Sequence, residues 1–251
     1  MIALLKKEFK EQIRSGRFWI ILAVFGFFAI MSPVSAFYMP QIIAKATNEQ
    51  GIEIKVPDPV WMDAMIQYFK NISQICTFIV ILLLMGSVCR EKENGNVVFI
   101  LVKPVSRISF ILSKIVVAFI LILLSFIVSF LITSFYTWLL FGSFPIKIFA
   151  LSNLPAIIQM LFIVVMTIMF STLAKSQFVA ALFTFLAWLI FGLSGQWGKT
   201  ALFTPVKLNQ ESMNILQLME LSWQPFAGAV FFIALFTLIS IFVFQNYEPK
   251  N

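Results

Sequence analysis

The sequence predicts an all-α, polytopic membrane protein: six transmembrane helices, an N-terminal amphipathic helix, a cytoplasmic helical loop after the second span, and a short helical segment between spans five and six. Three observations carry that prediction. Hydrophobic residues make up 61% of the 251 residues and charged residues only 12%, where an average soluble domain has about a quarter charged. So few charges cannot cover a soluble globule of this size. Six apolar stretches approach the roughly 20 residues that a helix needs to cross a bilayer. They fall at 18–38, 72–88, 115–141, 154–173, 177–197 and 226–244, and none contains Asp, Glu, Lys or Arg. Finally, the basic residues are distributed unevenly between the connections.

Residues 1–17 come first. At about 100° per residue, Ile2, Leu5, Phe9 and Ile13 fall within an arc of about 80°. Five basic residues lie on one flank of that arc, and Glu8 and Glu11 on the other. Such a helix suits the inner membrane surface, apolar side down. The first span follows at once.

The second span starts earlier than its most apolar part. Asp58 offers a side-chain acceptor at an N-cap and Pro59 fits the first helical position. One helix over 59–88 would be about 45 Å long, with Trp61 and Tyr68 near the interface. Cys76 and Cys89 are read as packing residues, since on one helix they stand about 20 Å apart, far beyond disulfide reach.

In the third span, Phe119, Phe126 and Phe130 are read as lipid-facing. The polar residues within spans, such as Ser125, Ser129, Thr133, Ser134, Gln159, Thr167 and Thr184, are read as helix–helix hydrogen bonds worth roughly 0.6 kcal/mol each. Outside the membrane lie 40–71 and 194–225. The latter holds an apolar piece, Met213–Leu221, that is too short to span and suits a surface helix or a re-entrant turn.

Orientation follows from charge. The segments 1–17, 89–114, 174–176 and 245–251 hold 12 basic and five acidic residues, whereas the opposite side holds six of each. The whole net charge of +7 therefore sits on one face. The positive-inside rule makes that face cytoplasmic, with both termini inside. The basic balance is a topology signal, which argues against nucleic acid as a partner.

Several chemistries are excluded. There is no His, so His-based acid–base catalysis, His metal sites and Ser-His triads are absent. Gly198-Lys199-Thr200 resembles the end of a phosphate-binding loop, but the required Gly five residues earlier is Leu193. This chain carries no ATPase machinery. A charge within the spans would mark an ion path, and none is drawn there.

The most informative connection is 89–114. Glu91, Lys92, Glu93 and Asn94 form a solvated run, and Gly95 permits a turn or a close approach. An apolar patch, 97–102, then stands between charged residues on the watery side until Pro104 ends it. Such a patch needs a cover, from the protein's own helix ends or from a partner.

The string Glu91-Lys92-Glu93-Asn94-Gly95, then Leu101, Pro104-Val105-Ser106-Arg107 and Lys114, resembles the loop after the second span of type-2 ABC (ATP-binding cassette) exporter permeases. The run from Lys6 to Ile20 is similar to their amphipathic elbow helix leading into the first span. The resemblance runs end to end and departs at Asn96, where the family usually has Thr or Ser. It implies that the loop is a coupling helix docked in a cleft of a separate ATPase subunit. Glu91, Glu93, Gly95 and Leu101 would make the contact, and Pro104 to Arg107 would join it to the third span. Ile2, Leu5, Phe9 and Ile13 would form the membrane face of the elbow.

The resemblance further implies a permease in the plasma membrane of a prokaryote, without an enzymatic site, cofactor or metal of its own. ATP and Mg would reside on two copies of the partner ATPase, and a second permease copy or a related permease would complete the unit. An apolar path between permeases would favour amphipathic or hydrophobic cargo, such as a peptide, an antibiotic or a lipid-like molecule. The residues alone leave open a stand-alone ion-coupled carrier or channel, whereas a membrane enzyme lacks the groups it would need.

Overall fold

A computed structural model describes residues 1–48, 57–95, 106–195, 202–219 and 221–247. Every regular element among them is helical: α1 (Ile2–Arg14), α2 (Arg17–Asn48), α3 (Trp61–Asn71), α4 (Thr77–Leu84), α5 (Cys89–Glu93), α6 (Arg107–Phe141), α7 (Ile146–Leu173), α8 (Gln177–Ser194), α9 (Leu208–Leu218) and α10 (Gln224–Gln245). Six helical stretches are long and apolar enough to cross a membrane, with α3 to α5 forming one of them. α7 is the most enclosed span, packed by α6, α8, α9 and α10, while α2 lies along α6 and α3.

Boundaries differ from the sequence reading where local chemistry decides them. The second span begins at Trp61 rather than Pro59, because the Asp63 carboxylate, one turn in, accepts the Val60 backbone N–H at 2.9 Å. It is not one continuous α-helix either. A π-helical stretch, Ile72–Cys76, joins α3 to α4, and a turn separates α4 from α5. The third span starts at Arg107, not 115, because Ser106 accepts the Ser109 N–H at 3.1 Å as its N-cap. The fourth starts at Ile146 and the fifth ends at Ser194. Between the last two spans, α9 folds back against α7 with Leu208 and Leu216 buried.

Three side chains expected at the membrane boundary turn inward. Tyr68 is buried, and its hydroxyl bonds Ser129 Oγ and Asn153 Oδ1, each at 3.0 Å. Phe126 is buried and packs edge-on to Phe25 at 5.3 Å. Phe130 stacks on Phe149, whose buried ring also meets Tyr68 and Phe69. Both cysteines are buried and free.

Of the polar residues named from the sequence, Ser129 and Thr133 bond to another helix. Ser125, Thr167 and Thr184 instead bond the carbonyl four residues back on their own helix. Thr133 has a specific task. Pro33 lacks the N–H that would reach the Ala29 carbonyl one turn back in α2, and the Thr133 hydroxyl of α6 donates to that oxygen at 3.1 Å. At the far end of the bundle Gly228 fills another close approach: a Cβ there would overlap the Phe203 carbonyl.

Candidate functional site

The segment singled out in the sequence lies at the end of the bundle where α1 and the C-terminus of α10 also sit. The turn before α5 leaves backbone donors open, and Ser171 Oγ of α7 accepts from both Val88 N and Cys89 N at 3.0 Å. From that anchor the side chains of α5 reach different elements. Lys92 donates to the carbonyls of Thr172 and Ala174 at the C-terminus of α7, at 2.6 and 3.0 Å, where a cation also meets the negative end of the helix dipole. Its ammonium stands 5.5 Å from the centre of the Tyr247 ring. Glu93 accepts from Gln177 at the start of α8, 3.2 Å away. Gly95 closes the segment at φ +67°, a turn conformation that favours glycine, and among the described residues nothing comes within 4 Å of its missing Cβ.

Glu91 faces inward. Its Oε1 accepts from Lys7 of α1 at 2.8 Å and from Lys114 of α6 at 2.9 Å. Lys114 also reaches both oxygens of Glu8, at 3.2 and 3.1 Å, and Lys7 bridges Glu8 and Glu11. Glu8, Glu91 and Lys114 are each at most 6% exposed. The Lys114 ammonium lies 4.8 Å from the centre of the Phe110 ring, which stacks on Phe244 of α10. Burial pulls the Lys7 ammonium down, and the carboxylates of Glu8 and Glu91 more than offset this, holding it above the ordinary lysine range. Three carboxylates, Glu8, Glu11 and Glu91, come within 4.8 Å of one another. That spacing would suit a cation, but the two ammonium groups already sit among them, so the cluster is an ion network in which only Glu91 Oε2 is left buried without a partner among the described residues of the cluster.

Arg107 ties the same end together. Its Nη1 donates to the carbonyls of Phe244, Gln245 and Tyr247 at 3.1, 2.6 and 2.8 Å, capping the C-terminus of α10.

A family model for ABC-2 family transporter proteins matches residues 2–222, from the start of α1 through α9. The chain belongs to that family. A relative, the uncharacterized transmembrane protein YxlG of Bacillus subtilis (strain 168), is 28% identical over 183 residues, covering 72% of this chain and 70% of that protein. This ABC-2 chain is thus a multi-pass membrane transport subunit and not itself the catalytic one; permeases of its family work with an ATPase subunit.

Within this ABC-2 permease the expected site residues divide. Glu91, expected on a partner-facing surface, is turned into the protein. Glu93 is exposed at the rim, Gly95 forms the turn after it, and Arg107 is committed to α10. Leu101 and Pro104 lie outside the described residues. On α1, Ile2 is 83% exposed while Leu5, Phe9 and Ile13 are half-buried. The side of α1 packed on the protein is instead Leu4, Glu8 and Gln12.

Sequence reasoning missed Lys7, Glu8, Lys92 and Lys114 as partners. It placed Lys114 just outside a charge-free third span, whereas the lysine sits about two turns inside α6. Its position beside an apolar run, with two acidic residues on the flank of the preceding amphipathic helix, was the available signal.

Proposed function

We propose that this permease is the transmembrane subunit of an ATP-driven exporter, moved by a separate ATPase that docks on the segment from Glu93 through Arg107 at the cytoplasmic face. The observation that carries this reading is the anchoring of α5. Glu91, Lys92 and Glu93 are fixed to α1, α6, α7 and α8 at once. A push on the exposed rim would pass through Glu91 and Lys114 into α6, and through Lys92 into α7, as a rigid-body displacement.

Glu93, Gly95 and Leu101 remain the contact residues of this reading. Glu91 becomes the link behind them, and Pro104 to Arg107 lead into the third span. ATP and Mg belong to the ATPase copies, and a second permease, identical or related, completes the path. The charge asymmetry supports cytoplasmic termini in a plasma membrane. Apolar outer faces on α6, including Leu124, Leu131 and Phe135, suit amphipathic or hydrophobic cargo.

The test is co-purification with a cognate ABC ATPase. The double substitution Gly95→Asp with Leu101→Asp should abolish both association and stimulated ATP turnover. Retention of both would place the dock elsewhere, and flux by the purified chain alone would replace the exporter with a self-sufficient carrier.

A further inference from the structure

Between α1 and the start of α5 lies a surface cavity of about 620 Å3, a size typical of small-ligand sites of roughly 300–1,000 Å3. Lys7, Glu11 and Glu91 in its wall are committed to one another. Lys10, Arg14 and Arg90 in the same wall are exposed, and among the described residues none of the three makes an ion pair. Lys10 and Arg14 are one turn apart on a single flank of α1, and Arg90 approaches from α5. This gathers three cations without an ion-pair partner among the described residues on one concave surface, where Lys7 already engages Glu11 and Glu91.

The helices that form the cavity also carry exposed apolar residues. Gly86 contributes to its wall. Gly86 lies in the turn before α5; one and two turns earlier, in α4, Leu82 and Phe78 are 38% and 48% exposed, with Phe78 also packed against Phe185 of α8. Trp19, at the start of α2, is 58% exposed. The apolar arc of α1 borders the side that carries Glu8, and its Ile2 is 83% exposed, as suits a helix at the lipid boundary. A soluble anion would use the cations and leave these apolar residues unused. A phosphate attached to acyl chains would use both, as basic pockets beside transmembrane helices do with anionic headgroups.

We propose that the cavity binds the headgroup phosphate of an anionic phospholipid, held by Lys10, Arg14 and Arg90, with its acyl chains lying along Leu82 and Phe78. The bound lipid would bridge α1 and α5 beside the ion network.

The purified chain, in a neutral detergent, can be titrated with phosphatidylglycerol and with phosphatidylcholine of matched chains, reading retained lipid by native mass spectrometry. Phosphatidylglycerol should be held about tenfold or more tightly than phosphatidylcholine. The triple variant Lys10→Gln, Arg14→Gln, Arg90→Gln should lose that preference, whereas Lys147→Gln, on an exposed residue of α7, should keep it. The pair Arg14→Lys with Arg90→Lys preserves the charge and should also keep it. All three cations are exposed, so the triple variant should melt like the parent protein. An unchanged preference in that variant would overturn the proposal. Displacement of the lipid by equimolar inorganic phosphate or glycerol 3-phosphate would reassign the cavity to a soluble anion. The readout needs no ATPase, so its failure leaves the docking reading untouched, and the reverse holds as well.

Discussion

A lysine two turns inside an apolar helix is stable only if carboxylates surround it. Lys114 meets Glu8 and Glu91, and Glu91 is in turn shared with Lys7. Removing the central cation leaves three carboxylates, Glu8, Glu11 and Glu91, to Lys7 alone, and breaking a buried ion network in this way costs about 3–5 kcal/mol. Lys114→Met should therefore lower the melting temperature in detergent strongly, and adding Glu8→Gln should restore part of the loss by removing the stranded charge. An unchanged melting temperature in Lys114→Met would mean the network contributes nothing. Lys7 is more exposed and acts differently. Its ammonium is held above the ordinary lysine range, so its contribution is complete below the unfolded value and is lost only as pH rises through the higher folded one. The melting difference between the parent protein and Lys7→Gln should therefore stay constant from neutrality to about pH 9 and shrink only in stronger alkali.

At the scale of elements, the spans were legible because an 18-residue apolar run has few other readings, and the elbow because its apolar arc repeats at helical spacing. Periodicity could not say which side of α1 the protein covers. The protein covers the neighbouring side, Leu4, Glu8 and Gln12, and leaves Leu5, Phe9 and Ile13 half-buried beside it. For the same reason Glu91 read as a surface acid: its partners are 84 and 23 positions away in the chain, and no local pattern marks them. Tyr68 was misplaced because an amphipathic ring suits an interface and a buried polar pair equally well. The contact that repairs α2 at Pro33 was also invisible, though Pro33 announced the orphaned Ala29 carbonyl. That repair gives an element-scale prediction. Thr133→Val should cost about 1–3 kcal/mol by leaving the carbonyl buried and unpaired. In a Pro33→Ala background the restored N–H serves that carbonyl within α2, so the same valine should be far better tolerated. A double-mutant cycle followed by thermal unfolding measures the coupling, and additive effects would show that Thr133 and Pro33 act independently.

For the whole molecule, the proposed docking reading separates touching a partner from being moved by it. Glu91 is too enclosed to form an outer contact, yet it joins α5 to both α1 and α6, while Arg107 and Lys92 bind the end of α10 and the end of α7 into the same region. On the proposed docking reading, docking and transmission rest on different residues, and they should come apart under mutation. Glu91→Gln keeps the shape and a weaker acceptor but removes the charge that holds Lys7 and Lys114 together. It should leave ATPase association near the parent level while reducing the stimulation of ATP turnover by about tenfold, a change of about 1.4 kcal/mol in coupling. Gly95→Asp acts at the rim and should lose association and stimulation together. Both variants can be measured with the ATPase in nanodiscs, quantifying bound subunit and turnover on the same sample. Equal loss of association in the two variants would mean that Glu91 supports the dock itself, and the ion network would then be a structural brace with no part in passing the motion to α6.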